Sequence, residues 1–539
     1  MTRTASGRST RTAAKGGLRG FGVLAWLPAL LVVAIPGWLL ARAVEGGELE
    51  LLFSGQTGSL LLTSVGLAAL VAAGALLLGV STAYLTARTD LPFRRVFTVL
   101  LALPLAIPSY MGAFALLALF GPGGILSDLL ETRVGQIDGF VGTSLALTLL
   151  AFPYVFLPVR AALLGVDPRL EESARTLGLS PAQTFRRVTL PLVTPAIVGG
   201  VLMVALYTLS DFGAVSLLQV DTFARAIYTQ YDGFNRGGAA SLALVLVVMT
   251  VLLIAIATVM GRAKARYTSK RVGARTSARA GLGRWRWAAF AWCAIVVTAA
   301  LGLPVFATLY LAIDGGSACP ACTPLTELGA NSLLEGALTA GTTLLLVFPV
   351  VYVAVFSKRR WRALPDRIIY GGFALPGIVV ALALVFLAHR IPALYQTLPL
   401  LVLACAIRFL PQAADALRPS MSQIRPSLHE ASRTLGRSAF ETLRRVTLPL
   451  VRSGWLAGGA LVFLTTIKEL PATLLLRPTG FETLATELWD LTNEGYLAEA
   501  SVRCLLIVAL AVIPMAWLVA RETGRTTAST QPPAQEKRS

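Results

Sequence analysis

Long apolar runs separated by short polar connections dominate this chain. Runs long enough to cross a bilayer as helices fall near 21–40, 59–86, 96–120, 140–165, 194–218 and 239–260. Six more fall near 288–313, 331–356, 368–390, 396–417, 453–476 and 500–521. A helix needs about 20 apolar residues to span the hydrocarbon layer, so the pattern predicts an all-α integral membrane protein with twelve transmembrane helices in two sets of six. It also divides the chain into a basic tail (1–20), a first repeat (21–261), a basic, apolar-poor linker (262–287), a second repeat (288–521) and a polar tail (522–539) whose composition predicts disorder. The run after residue 20 has a secretory signal as its competing reading, since Ala41-Arg42-Ala43 looks like a cleavage site. Its length exceeds a signal's apolar region, which favours a retained first helix.

One polar stretch occurs twice. It reads DPRLEESARTLGLSPAQTFRRVTLPL at 167–192 and RPSLHEASRTLGRSAFETLRRVTLPL at 425–450, with Glu172 carried onto Glu430 and Gly178 onto Gly436 at an offset of 258. A period this long marks a duplicated domain rather than a solenoid. Each copy predicts two short helices. Asp167 is an N-cap with Pro168 in the first helical position, while Leu170, Ala174 and Leu177 form one apolar face. Gly178 stands where a helix stops in a left-handed turn. Ser180 with Gln183, and Ser438 with Glu441, are capping-box pairs. The second helix is expected to end near Pro191 and Pro449.

Charge then orients the chain. Only 14% of residues are charged, yet the net charge is +19, with mean hydropathy +0.70. The Lys and Arg sit in short connections between apolar runs, which is topology information and argues against a nucleic-acid partner. Arg88, Arg94, Arg95, Arg175, Arg186, Arg187, Lys358, Arg359 and Arg360 are expected on the cytoplasmic side. Glu45, Glu48, Glu50, Asp128, Glu131, Asp138, Glu482, Glu487 and Asp490 are expected outside, with both termini cytoplasmic. An even number of spans separates the two copies, so the halves run parallel, and each repeated loop lies between the fourth and fifth span of its half.

The repeated stretch resembles the EAA loop of ABC-importer permeases: E-A-A, three residues, G, nine residues, then I-x-L-P. Here it reads Glu172-Ser173-Ala174, Gly178 and Val188-Thr189-Leu190-Pro191; the second copy reads Glu430-Ala431-Ser432, Gly436 and Val446-Thr447-Leu448-Pro449. Val replaces Ile in both, and each triplet has one Ser for Ala. Double-length permeases with two such loops resemble the ferric-iron and thiamine importers, and the stretches 208–231 and 468–490 look like the ferric-iron permeases in particular. The resemblance implies a plasma-membrane permease with two cytoplasmic ATP-binding subunits docked on its loops and an extracytoplasmic substrate-binding protein. It implies ATP and Mg used by the partner ATPase, and no cofactor bound by this chain. Thiamine, polyamine or phosphonate-type solutes are the alternative cargoes.

Two carboxylates share the same offset: Asp211 and Glu469. Acidic residues in or near a span are costly and usually face a cavity or a partner, which makes the pair candidates for the translocation pathway. The competing readings are that both mark the outer membrane boundary, or that Lys468 neutralises Glu469. Cys319 and Cys322 form C-P-A-C in an outside loop, where a small disulfide or free thiols fit better than a metal site. Cys293, Cys405 and Cys504 lie in apolar runs and are expected to pack. Two His, His389 and His429, argue against a His-built metal site. No G-x-x-x-x-G-K-[ST] loop and no catalytic cluster occur, so the chain needs an external energy source or is an ion-driven secondary transporter. A membrane enzyme or receptor is the weakest alternative.

Overall fold

The computed structural model describes residues 21–121, 124–132, 135–264, 280–314, 322–357 and 364–528. The basic tail 1–20, most of the linker 262–287, the group Lys358 to Arg362 and the last residues of the C-terminal tail lie outside them. Every element of regular structure among the described residues is helical, apart from one isolated bridge between Thr89 and Ala280. Among the described residues, ten helices are long and apolar enough to cross a membrane, or eleven if one bent pair counts as a span. The twelfth expected span, 500–521, falls within the helix Leu497–Ala528.

Two expected spans are bent, for the same reason. The helices Leu364–Phe373 and Gly377–Arg390 meet at 107°. In the first half, Arg94–Leu100 and Leu103–Ala106 precede an extended Ile107 and the helix Ser109–Phe120. Each break carries a proline, Pro376 or Pro108, which drives the residue before it out of the helical region; Leu375 and Ile107 are accordingly extended. Uninterrupted apolarity hid both bends.

The chain forms two compact units. One comprises the described residues of Met1–Gly58, Ala226–Val251 and Pro320–Asp490; the other comprises those of Ser59–Arg225, Leu252–Cys319 and Leu491–Ser539. In the first unit, the helices Leu325–Phe356, Leu398–Ser422 and Leu448–Ile467 pack together, and Trp26–Glu45 packs on Leu364–Ile369 and Gly377–Arg390. The last contact follows from a stripe: Ala29, Val32, Ile35, Leu39 and Ala43 recur at helical spacing and are buried, while Leu30, Val33, Leu40 and Val44 are exposed. Phe21, just ahead of Trp26–Glu45, packs instead on Leu325–Phe356, its ring 5.0 Å from that of Tyr352.

In the second unit, Pro153–Gly165 packs on Leu190–Ser210, and Ser109–Phe120 packs on Gly139–Ala151 and Leu303–Asp314. Gly200 lets the first pair approach to backbone contact: a Cβ there would lie 2.8 Å from the carbonyl oxygen of Tyr154. Small residues serve this role in membrane helices, where close packing replaces hydrophobic drive. Leu147, Phe152, Val155, Phe156, Val204 and Val215 form the core of this unit, joined by Cys293 and Val296 from Arg286–Val297. Cys293, Cys405 and Cys504 are buried free thiols, as their apolar surroundings predict. Each unit therefore combines segments from both sequence repeats.

Candidate functional site

The repeated loops fold as their local chemistry dictates. In the first, Asp167 accepts the backbone N–H of Arg169 at 3.0 Å and caps the helix Pro168–Thr176. That helix ends in a Schellman turn: the Gly178 N–H bonds the Arg175 carbonyl and the Leu179 N–H bonds the Ala174 carbonyl. Gly178 has φ +84° and its counterpart Gly436 has +78°, where a side chain would be strained. Both capping boxes form reciprocally, Ser180 with Gln183 and Ser438 with Glu441.

The following helix does not end near Pro191 or Pro449. Instead Phe185–Thr189 and Leu443–Thr447 are π-turns that lead directly into Leu190–Ser210 and Leu448–Ile467. The Leu190 N–H reaches back to the Phe185 carbonyl, and the Leu448 N–H to that of Leu443. A wider turn just before the proline absorbs the residue that would otherwise break the ladder.

Glu172, Ser173, Gly178 and Pro191 are exposed, as are Glu430, Ala431, Gly436 and Pro449. Ala174 and Ser432 are buried. The apolar face expected from Leu170, Ala174 and Leu177 is split: Ala174 is inside, while Leu177 is 83% exposed and Leu435 is 77% exposed. Each loop helix packs mainly on the π-turn and short helix that follow it, so much of its surface is left open. The open side pairs a carboxylate with exposed leucines, a knob suited to an apolar groove with a cationic rim.

The two loops are anchored differently. In the first, Glu171 takes both Arg88 guanidinium nitrogens, at 2.9 and 3.3 Å, and the Thr189 hydroxyl at 2.6 Å. Arg88 is the last residue of Gly55–Arg88. In the second, His429 replaces Glu171 at the 258 offset and contacts the Thr447 hydroxyl at 3.0 Å. Its ring lies 4.6 Å from that of Phe356, the last residue of Leu325–Phe356. An ion pair in one copy is thus an aromatic contact in the other.

Burial holds the His429 pKa below its ordinary value of 6.5. The folded loop then binds fewer protons than the unfolded one. This contribution is fully present above pH 6.5 and is lost as pH falls through the lowered folded value. Hydrogen exchange across 426–434, corrected for intrinsic rates, is therefore expected to speed up as pH drops from about 7.5 to 5.5. The 168–176 segment serves as the internal control, and His429→Gln is expected to flatten the response. Equal pH profiles for wild type and variant would remove His429 as the cause.

A second difference lies beneath each helix. Ser432 and Thr442 share a buried hydrogen bond of 2.9 Å, whereas the equivalent Thr184 hydroxyl is buried without a partner because Ala174 stands where Ser432 does. Ala174→Ser is expected to stabilise the first loop by about 1 kcal/mol, and Ser432→Ala to destabilise the second by a similar amount. Both shifts are readable from protease sensitivity of the loops, and opposite signs are required.

Asp211 and Glu469 lie at the breaks that follow Leu190–Ser210 and Leu448–Ile467. Both are 6% exposed. Asp211 accepts the Ala214 N–H at 3.0 Å, and Glu469 accepts the Ala472 N–H at 3.3 Å, so each takes up one N–H in the first turn of the short helix that follows, from the position before its N-cap. Lys468 interacts with the adjacent Glu469 charge, and the structure adds Arg408, from Leu398–Ser422, as an ion-pair partner of Glu469. A Cβ on Gly377 would fall 2.6 Å from an Arg408 nitrogen and 2.8 Å from a Glu469 oxygen, so the bend and the ion pair fit one another.

Sequence reasoning missed Glu335, which is 2% exposed and accepts the Thr473 hydroxyl at 3.1 Å. Its signal was available: one acidic residue inside an apolar run. Cys322 is disulfide-bonded; Cys319 lies outside the described residues. No cluster of three or more His, Cys, Asp or Glu able to hold a metal occurs among the described residues.

The profile of the binding-protein-dependent transport system inner membrane component family matches residues 75–266 and again 350–522. The chain belongs to this family. The permease carries the family domain twice, as the duplicated loops require. It is 32% identical over 504 residues to the Fe(3+)-transport system permease protein FbpB 2 of Haemophilus influenzae, covering 91% of this chain and 97% of that protein. It is 22% identical to the ferric transport system permease protein FbpB of Actinobacillus pleuropneumoniae, covering 78% of this chain and 64% of that one. The molybdenum transport system permease protein ModB of Escherichia coli is 30% identical over 34% of this chain and 84% of its own length. The permease is a double-length, integral membrane subunit of the ABC-importer class.

Proposed function

We propose that this permease carries ferric iron into the cell from an extracytoplasmic binding protein, driven by two cytoplasmic ATP-binding subunits. The observation that carries the cargo is the end-to-end similarity to a Fe(3+) permease, across 91% of this chain. The exposed knobs around Glu172 and Glu430 support the two-subunit count, since each offers its own docking surface. In this reading ATP and Mg are bound and hydrolysed by the partner subunits, and this chain contributes no catalytic group or cofactor. The repeated loops and both termini face the cytoplasm of a cell whose plasma membrane holds the protein. Ser173, Ala174, Gly178 and Pro191, with Ala431, Ser432, Gly436 and Pro449, shape the knobs. Asp211 and Glu469 are proposed to meet the cargo transiently as the pathway opens.

Uptake of labelled ferric iron in iron-starved cells, with and without the gene, tests the proposal. Labelled thiamine and molybdate run in parallel. Loss of iron uptake alone, reproduced by Glu172→Ala with Glu430→Ala, supports it. Loss of another solute alone changes the cargo, and unchanged uptake of all three sinks it. The pathway roles fail separately if Asp211→Ala with Glu469→Ala leaves uptake unchanged at normal protein levels.

A further inference from the structure

A cavity of about 240 Å³ opens where three helices of one compact unit converge: the end of Trp26–Glu45, the start of Arg236–Lys264 and the end of Gly377–Arg390. It is lined by Trp38, Arg42, Glu45, Arg236, His389 and Arg390, among others. The convergence is built rather than incidental. A Cβ on Gly46 would lie 2.7 Å from the Gly237 Cα, so the first and second of these helix ends meet at backbone contact. Ser241 reinforces that contact by donating to the Glu48 carbonyl at 3.2 Å.

The cavity has many donors and few acceptors. Its single carboxylate, Glu45, is shared by Arg390, at 2.9 and 3.0 Å, and by Arg42 at 3.1 Å. Each guanidinium carries five N–H donors in a fixed fork, so one carboxylate leaves most of them unused. Arg236 makes no ion pair among the described residues. The Trp38 indole N–H is buried and has no acceptor. Arg42 is held in place by the Phe386 ring, 5.6 Å away. His389 is engaged at Nδ1 with the Val385 carbonyl, 2.7 Å away. A buried donor without a partner is costly, and three guanidinium groups around one carboxylate repel one another. Both conditions are relieved by an added anion.

We propose that this cavity binds one phosphate group. A carboxylate offers two acceptor oxygens, whereas a tetrahedral phosphate offers enough to meet three guanidinium groups and an indole N–H together. The volume suffices: a water takes about 30 Å³ in the liquid, so a phosphate fits with several waters. The first turn of Arg236–Lys264 adds the positive end of a long helix. Two sources share this chemistry, free phosphate and a phospholipid headgroup.

The test uses the full-length permease and two probes. Equilibrium binding of labelled inorganic phosphate is measured in nanodiscs of phosphatidylcholine. Native mass spectrometry then compares retention of phosphatidylglycerol with that of phosphatidylcholine. Arg236→Gln is expected to weaken the bound probe about tenfold. Glu45→Gln, which removes the competing carboxylate, is expected to strengthen it. Opposite shifts are not produced by general misfolding. Saturable phosphate binding with these shifts assigns a free oxyanion; selective phosphatidylglycerol retention with the same shifts assigns a headgroup. Failure of both probes to bind, or binding unaffected by either substitution, overturns the proposal. The result does not depend on the cargo.

Discussion

Arg408→Leu is expected to destabilise the folded permease by about 3–5 kcal/mol, the usual cost of breaking a buried ion pair from one side. Glu469 is 6% exposed and carries its charge among Gly377, Arg408 and the first turn of Pro471–Leu476. With the guanidinium gone, the Ala472 N–H and the charge of the neighbouring Lys468 offset only part of the desolvation of a carboxylate. Graded heating in detergent, followed by size-exclusion, should show the drop directly. Adding Glu469→Gln to Arg408→Leu is expected to recover most of the loss, because no unpaired carboxylate then remains buried. Superimposable heating curves for wild type and Arg408→Leu would show that the pair contributes nothing to the fold.

Arg88→Ala is expected to free the first loop and leave the second in place. Arg88 is 8% exposed and Glu171 is 15% exposed, so the loss is that of a charge-assisted pair out of bulk water, about 2–3 kcal/mol. Hydrogen exchange at 168–176 should then rise by roughly thirty- to a hundred-and-fifty-fold, with 426–434 unchanged. The exchanged pair, Arg88→Glu with Glu171→Arg, should restore protection. If it does not, Arg88 acts through packing along Gly55–Arg88 and not through its charge. The second loop, seated by His429 on Phe356, provides the contrast: its anchor carries no ion pair and answers to pH. One permease would then hold its two repeated loops with unequal stiffness.

Much of this was legible beforehand because it is local. Caps, capping boxes and the left-handed glycines depend on residues within one turn of each other, so Asp167, Ser180 with Ser438, and Gly178 with Gly436 could be placed from spacing alone. Apolar runs answer to the bilayer, which treats each segment almost independently. The duplication added a test that a single match lacks, since two loops at one offset must fold alike.

What spacing cannot show is which distant segments meet. Arg408 and Glu469 are sixty-one positions apart, and nothing in either neighbourhood announces the other. Leu170 and Leu177 obeyed helical periodicity, yet periodicity says only that residues share a face, not that anything covers it. The π-turns before Pro191 and Pro449 escaped notice because proline ordinarily ends a helix, and only the continuing span supplies a reason to absorb it. The cavity at Arg42, Arg236 and Arg390 draws on three separated stretches and has no linear signature.

The sequence by itself determined the class of structure, its duplication, the form of the two loops and the family, because each rests on short-range chemistry or on the membrane as solvent. Tertiary structure decided which charges are paired, which leucines stay open, where the spans bend and how Glu171 and His429 are seated. Those outcomes depend on burial and on contacts between segments far apart in the chain, where the free energy belongs to the pair and not to either residue.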